Sequence, residues 1–472
     1  MVGRIRRGEH TYAAIFSMAL LTFVGILNET AMNVTYPELV KIFGVSLDVI
    51  QWITTGYLLM VTIVMGTTAY LLRQFPAQRL ALVAVGMFIV GDVIGACATN
   101  FPVLLVARLI QAMATGLSTP ILFHLIFTEI PANRKGIMTG FAGMVISFAP
   151  AIGPTYGGIV SETMSWRMIF WLILPLALIS LVIGQLTIDT QPIGNPKRFS
   201  YLSLFLLGLA LILVVYSVSL IGNGGLTGRF WFSLCLGIIF SLLFIYVNNS
   251  GHSQLLNLSI FRVVPIRLST ITYFNLQFIN IGISLVIPVY MQYVLHSSAM
   301  VAGLVLLPGS AIGAIIAPLG GRWADQQGYA KPVITGSALL VIGVSCFILF
   351  QARLTALTVA TFFLILRIGF NLSFSCTISN ASMLVKQENS SDVNSVFNMV
   401  QQFAGSMGTG LLASLVAYFQ NQSTGSLINR TMIGGRIDYL IVTCLALVTL
   451  ITVILNYRIQ EKNKLNVSVR FS

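Results

Sequence analysis

The chain has 472 residues, 56% of them hydrophobic and only 8% charged, with 26 Lys and Arg against 13 Asp and Glu for a net charge of +13. A soluble domain carries about 25% charged residues, so a soluble enzyme, a secreted domain and a disordered chain are excluded. What remains is an all-α membrane protein, and the placement of the basic residues decides whether nucleic acid is a partner.

A membrane-crossing helix needs about 20 mostly apolar residues, because the hydrocarbon core is about 30 Å thick and a helix rises about 1.5 Å per residue. Fourteen runs qualify in chain order: 12–36, 50–72, 79–99, 102–126, 136–160, 166–188, 200–221, 229–248, 269–295, 300–321, 332–351, 355–380, 393–418 and 438–457. The first run is too long for the apolar region of a cleaved signal and reads as a retained span. The longest polar stretches, near 189–199, 249–267 and 421–437, leave no room for a soluble catalytic domain. The five cysteines lie in apolar runs without C-x-x-C spacing, so they read as packing residues.

Lys41, Arg167, Arg229, Arg353, Arg430 and Arg436 fall on the side away from the N-terminus, and Arg108 and Arg367 fall inside spans. The other eighteen basic residues lie on the N-terminal side. This bias follows the positive-inside rule. It places both termini, 1–11 and 458–472, in the cytoplasm, and it makes the lipid bilayer, not nucleic acid, the partner of the basic surplus.

Polar groups inside the spans are costly and therefore informative. Span one carries Asn28, Glu29 and Asn33, with Glu29 about seven residues, or roughly 10 Å, from the outer end. Such a carboxyl can take a proton from one side and lose it to the other; the competing reading is a fixed structural pair. Asp92 in span three and Arg108 in span four lie at similar depth, and Gln111 shares the Arg108 face. Asp92 reads as an ion-pair partner of Arg108, with a second proton site as the alternative. Span five holds the small-residue cluster Gly153, Pro154, Gly157 and Gly158, which permits close helix approach and a kink. In the second half of the chain, span nine carries Asn275, Gln277 and Asn280, span twelve Arg367 and Asn371, and span thirteen Asn394, Asn398 and Gln401 as a stripe on one face. These groups read either as substrate contacts or as links between helices. Trp52, Trp166 and Trp231 near outer ends read as headgroup anchors.

The chain also repeats itself. The loop after span ten, GGRWADQQGYAK, sets Gly321, Asp325, Gly328 and Lys331 in a G-x-x-x-D-x-x-G frame, and the loop after span two has the same length and place with Ala69, Arg73 and Pro76 instead. Arg108 is matched by Arg367. The expected organisation is therefore a six-helix bundle over 12–188, two inserted helices with linkers over 189–267, and a second six-helix bundle over 268–457, with a substrate site between the halves near the midplane.

Several motifs carry a resemblance. Span five reads FAPAIGPTYGGIV, similar to the antiporter motif G-x-x-x-G-P-x-x-G-G with Ala149 in place of its first Gly; span four reads ARLIQAMATG, similar to R-x-x-Q-G with Ala112 in place of Gly; span six opens SWRMIFWLILP; and span one reads LNETAMNVTYP. The sequence resembles the major facilitator superfamily, in particular its fourteen-span drug:proton antiporter family and a lincosamide-exporter-like subgroup. The resemblance implies the major facilitator fold, with two pseudo-symmetric six-helix bundles plus two inserted helices, in a bacterial plasma membrane. It also implies a role for Arg108 in proton transfer, a gating role for the Asp325 loop, and an antiporter role for the span-five glycines in shaping alternating access.

The expected function is proton-coupled export of small amphipathic drugs or antibiotics by a monomer, with protons as the second cargo. A dedicated carrier of one endogenous lipid, peptide or metabolite is the alternative. Glu29, Arg108 and Asp92 are the candidates for proton coupling. Asn28, Asn33, Gln111, Gln277, Asn280, Arg367, Asn371, Asn394, Asn398 and Gln401 are the candidates for the cavity. No Walker sequence, H-E-x-x-H or paired aspartates occur, so no enzyme activity, cofactor or metal is expected.

Overall fold

The computed structural model describes residues 2–188, 199–250, 254–385 and 390–470. Lys197, Arg198, Lys386 and the side chains of Arg4, Arg6, Arg7, Arg73, Lys464 and Arg470, all expected on the cytoplasmic side, lie outside the described residues. Among the described residues the structure is helical, without strands. The long helices are α1 (Val2–Ala31), α2 (Trp52–Gln74), α3 (Ala77–Ala96), α4 (Phe101–Glu129), α5 (Ala132–Thr163), α6 (Met168–Thr187), α7 (Tyr201–Ser219), α8 (Gly228–Ser250), α9 (Val264–Tyr293), α10 (Leu307–Gln327), α11 (Ala330–Leu349), α12 (Ala356–Met383), α13 (Ser390–Gln420) and α14 (Leu427–Arg470).

Backbone groups cannot find water inside a bilayer, so each crossing segment satisfies its own N–H and C=O groups as a helix. Local chemistry sets the ends. The Asn100 side chain accepts from the Val103 N–H at 3.0 Å to start α4, and Thr355 and Thr358 form a reciprocal cap at the start of α12. Gly328, at φ +84°, ends α10 in a conformation that side chains resist. Thirteen segments of the described chain are long and apolar enough to cross a membrane. The remaining long helix, α13, is more polar because it is sandwiched between α2 and α9 and faces protein along much of its length.

Packing repeats between the two halves. α1 packs on α4, α5 and α6 as α9 packs on α12, α13 and α14. α4 is flanked by α2 and α3 as α12 is by α10 and α11, and α6 closes on α3 as α14 closes on α11. The fold is thus two pseudo-symmetric six-helix bundles plus two inserted helices. The halves meet along two seams, α2 against α13, and α5 against α10 together with the short helix Ala299–Leu304.

The inserted α7 and α8 pack chiefly on each other, and α7 also touches α2 and α13. The turn between them, Ile221–Gly224, is anchored to both halves: Asn223 Nδ2 donates to Asp48 Oδ2 at 2.7 Å, and Asn421 Nδ2 donates to the Gly222 carbonyl at 3.1 Å. α8 exposes Phe232, Leu242 and Tyr246, the apolar surface that lipid requires.

On the side away from the termini, hereafter the far side, the halves are joined. Thr155 Oγ1 donates to the Gly303 carbonyl at 3.2 Å, and the Met300 N–H donates to Glu162 Oε2 at 2.8 Å. Gln292 Nε2 donates to the Val34 carbonyl at 2.8 Å. Along the other seam, Gln51 donates to Ser414 at 3.1 Å, Thr55 and Thr409 share a 2.9 Å hydrogen bond, and Ser406 donates to the Thr55 carbonyl at 2.9 Å.

Candidate functional site: a buried polar network in the first bundle

α1, α3 and α4 bring Asn28, Asp92, Arg108 and Gln111 together. Small residues make this possible. A Cβ on Gly91 of α3 would stand 2.5 Å from the Gln111 Cγ and 2.9 Å from the Ala107 carbonyl oxygen, and one on Gly25 of α1 would overlap the Thr115 hydroxyl. Only glycine lets α3 and α1 lie this close to α4.

Arg108 is fully buried. Its Nη1 donates to Asn28 Oδ1 at 3.0 Å and to Gln111 Oε1 at 2.8 Å, and its Nε donates to the Ile53 carbonyl at 3.3 Å. Asp92 Oδ1 accepts from Asn28 Nδ2 at 3.0 Å and from Gln111 Nε2 at 2.5 Å. The expected direct ion pair between Asp92 and Arg108 is therefore not formed; two amides stand between the charges, each accepting from the guanidinium and donating to the carboxylate. Asp92 Oδ2 and Arg108 Nη2 are buried without a hydrogen-bond partner among the described residues. The guanidinium carbon lies 4.4 Å from the centroid of the Tyr57 ring. The Tyr57 hydroxyl shares a 2.6 Å hydrogen bond with Thr115 and donates to the Gly25 carbonyl at 3.1 Å, which fixes the ring under the cation.

Glu29 follows Asn28 in sequence and retains 5% exposure. Its carboxyl interacts electrostatically with Arg108 and with the Tyr36 and Tyr57 hydroxyls. Among the described residues no hydrogen bond reaches the Glu29 carboxyl, whereas Asp92 accepts two. Asn28, Asn33 and Gln111, expected at the cavity, are enclosed instead. Asn28 and Gln111 hold the charges, and Asn33 accepts from Thr54 at 2.9 Å to link the end of α1 to α2.

The span-five cluster joins three elements. A Cβ on Gly153 would overlap the Thr30 hydroxyl, one on Gly157 the Ala31 carbonyl, and one on Gly158 the Ala299 carbonyl of the other half. Gly303 approaches the Pro154 carbonyl just as closely. The motif is thus the point where α5 touches both α1 and the opposite bundle.

In the second bundle Arg367 Nη1 donates to Asn280 Oδ1, and Asn280 Nδ2 donates to Gln277 Oε1 at 3.4 Å. Asn371 turns back to the Arg367 carbonyl at 2.9 Å. The Tyr273 hydroxyl donates to Gln401 Oε1 at 3.1 Å, and the Tyr273 ring stacks on Phe374 with centroids 4.5 Å apart. Asn280, Asn398 and Gln401 are half-buried and Asn394 is exposed. Asp325 is exposed at the end of α10, with Gly321 one turn before it and Gly328 after it; among the described residues neither an arginine nor a helix end holds the carboxyl.

Other expectations are corrected. Trp166 is no headgroup anchor: it is 1% exposed, packed edge-on against Phe43 and Phe170 under the Arg167 guanidinium. Tyr57 and Asp438 were not among the candidates. Tyr57 carries no signal in sequence beyond being a polar aromatic within a span. Asp438 opens the apolar run 438–457, but α14 begins at Leu427 and the residue is fully buried.

Comparison with known families fits this architecture. The sequence profile of the Major Facilitator Superfamily matches residues 18–409. The chain belongs to the Major Facilitator Superfamily. A member of this superfamily is a multi-pass membrane transporter and not an enzyme. The chain is 31% identical over 418 residues to the lincomycin resistance protein LmrB of Bacillus subtilis, covering 88% of this chain and 87% of that protein. It is 30% identical over 404 residues to LmrB of Listeria innocua, covering 85% and 86%. Among solved structures, a bacterial homologue of the human lysosomal transporter Spinster, in an inward-facing and unoccupied conformation, superposes with a TM-score of 0.69 at 14% identity, covering 95% of this chain and 97% of that one. At that identity the likeness speaks for the fold alone.

Proposed function

We propose that this transporter exports amphipathic drugs or antibiotics from the cytoplasm in exchange for protons, by alternating access, with both termini cytoplasmic. The drug class rests on similarity to proteins named for lincomycin resistance. The coupling rests on one observation: Glu29 is a nearly enclosed carboxyl, within electrostatic reach of a fully buried guanidinium, and it is not tied down by hydrogen bonds among the described residues.

The chemistry follows from that placement. An ionised Glu29 attracts Arg108, which is otherwise held by Asn28, Gln111 and the Tyr57 ring. A proton arriving from far-side water bonds to a Glu29 carboxyl oxygen and removes that attraction; once the bundles open to the cytoplasm it leaves to water there, which restores the carboxylate. The balance between α1 and α4 changes, and with it the two-state equilibrium of the bundles. Asp92 stays fixed by its two amide donors. Each proton moving inward supplies about 2.3 kcal/mol per 100 mV of membrane potential.

Substrate contact is assigned to the α9–α13 face of the second bundle. There the half-buried Phe274 and Phe403, with ring centroids 6.1 Å apart, accompany the half-buried amides of Asn280 and Gln401. Apolar faces beside a few amides suit molecules with a greasy body and a polar edge. The test is efflux of a panel of antibiotics and dyes from cells, with and without a protonophore. Export of several compounds that stops with the protonophore supports the reading. Export of a single compound, or export that survives the protonophore, contradicts it.

A further inference from the structure

Asp438 is a carboxyl that the Arg108 network does not use. It lies in α14 just after Gly434 and Gly435, which bring this helix against its neighbours. A Cβ on Gly434 would stand 2.9 Å from the Val416 Cα of α13, and one on Gly435 would stand 2.9 Å from the Tyr290 ring of α9. Asp438 is 0% exposed, and both carboxyl oxygens are buried without a hydrogen-bond partner among the described residues. Its titratable neighbour is Tyr439 on its own helix, whose ring centroid lies 5.9 Å from that of Tyr290 on α9. Among the described residues no hydrogen bond reaches its carboxyl from α9, α11 or α13.

The first bundle solves the same position differently. Phe170 of α6 packs on Gly95 near the end of α3 as Tyr439 of α14 packs on Phe347 near the end of α11, which matches Ile169 to Asp438, and Ile169 is fully buried. An apolar residue therefore fits this place in the fold, and the acid in the second bundle is not required by packing. A carboxylate enclosed here without a partner carries a large desolvation cost.

We propose that Asp438 is a proton-binding site in the second bundle, occupied when the far side is closed and emptied to the far side when it opens. Closing takes a proton from far-side water onto a carboxyl oxygen; opening returns it to the same water. The geometry supplies the link. Gln292, half a turn beyond Tyr290 on α9, donates to the Val34 carbonyl of the first bundle at 2.8 Å. Parting the halves on the far side therefore pulls the turn of α9 whose Tyr290 ring packs near Gly435 and Tyr439, the stretch of α14 that holds Asp438, and Pro288 inside α9 gives that turn a weak point. The proposal rests on the alternating-access part of the reading above but not on Glu29. It makes far-side acidity favour the closed state without itself driving transport.

The test follows the distance between spin labels at Met164→Cys and Leu427→Cys, two exposed far-side positions in opposite bundles, in the full-length protein with its native cysteines replaced. The sample is reconstituted in vesicles and measured across pH. The labelled parent is expected to lose closed population as pH rises. In a Glu29→Gln background, which silences the carboxyl of the first bundle and is expected to keep the pH response, Asp438→Asn, and Asp438→Ile copying the first bundle, are expected to remain closed across that range with the response lost. A parent that does not respond to pH, or a folded variant that keeps the parent response, overturns the proposal. Proton return during dye export in the same vesicles, parent against Glu29→Gln, separates this outcome from failure of the coupling reading: either can fail while the other stands.

Discussion

Asp92 and Arg108 do not touch; Asn28 and Gln111 stand between them, each accepting from the cation and donating to the carboxylate. This arrangement links the carboxyl and the guanidinium through amides instead of direct contact. It leaves Arg108 able to respond to a third group, Glu29.

Removing one bridge should therefore break the network. Gln111→Leu leaves a donor of Arg108 and an acceptor of Asp92 unsatisfied in a dry site, at a cost of about 1–3 kcal/mol for each orphaned group. The expected result is a lower midpoint of thermal unfolding in detergent and loss of export. A variant with the parent midpoint would show that the amide carries no load.

Asp92 and Glu29 are expected to separate by function. Asp92→Asn keeps an acceptor oxygen for both amides, so it should fold and retain dye-driven proton exchange at a reduced rate. Exchange abolished in Asp92→Asn would make Asp92 the coupling acid.

The Tyr57 ring is expected to matter more than its hydroxyl. Tyr57→Leu removes the cation–π contact, worth about 0.5–2 kcal/mol. It should also shift the pH profile of export, because Arg108 is then free to move toward Glu29. Tyr57→Phe keeps the ring and should keep the profile. Equal profiles in all three proteins would remove Tyr57 from the network.

The glycine cluster predicts a graded series. A Cβ on Gly157 meets a backbone carbonyl that cannot rotate away, whereas one on Gly143, in the same helix, meets open space. Gly157→Ala is expected to cost about 1–3 kcal/mol through overpacking and to depress export, while Gly143→Ala leaves both unchanged. Thermal unfolding and efflux of the two variants provide the comparison.

Much of the architecture was legible in the sequence because hydrocarbon imposes a length on every span. The first span and α14 were underestimated, since helices continue past the apolar stretch: α1 begins at Val2 and α14 extends from Leu427 to Arg470. The buried charges Glu29, Asp92 and Arg108 stood out because ionisable groups are rare in spans. Their connectivity did not. In a lipid-facing helix both the buried and the exposed faces are apolar, so the pattern does not reveal which way a residue points. For that reason Asn28 and Gln111 read as cavity residues and Trp166 as an anchor, and Asp438 was passed over. The roles of Asn223 and Asn421 in fastening the inserted helices were equally hidden, because they depend on contacts between residues nearly two hundred positions apart.

The central claim is that the Glu29 carboxyl carries the coupling proton. It is tested most directly by reconstituting the parent and Glu29→Gln in vesicles and recording proton movement when an exported dye is added. The account predicts that the variant unfolds at the parent temperature, binds dye and moves no protons. Undiminished dye-driven proton exchange by Glu29→Gln would contradict it.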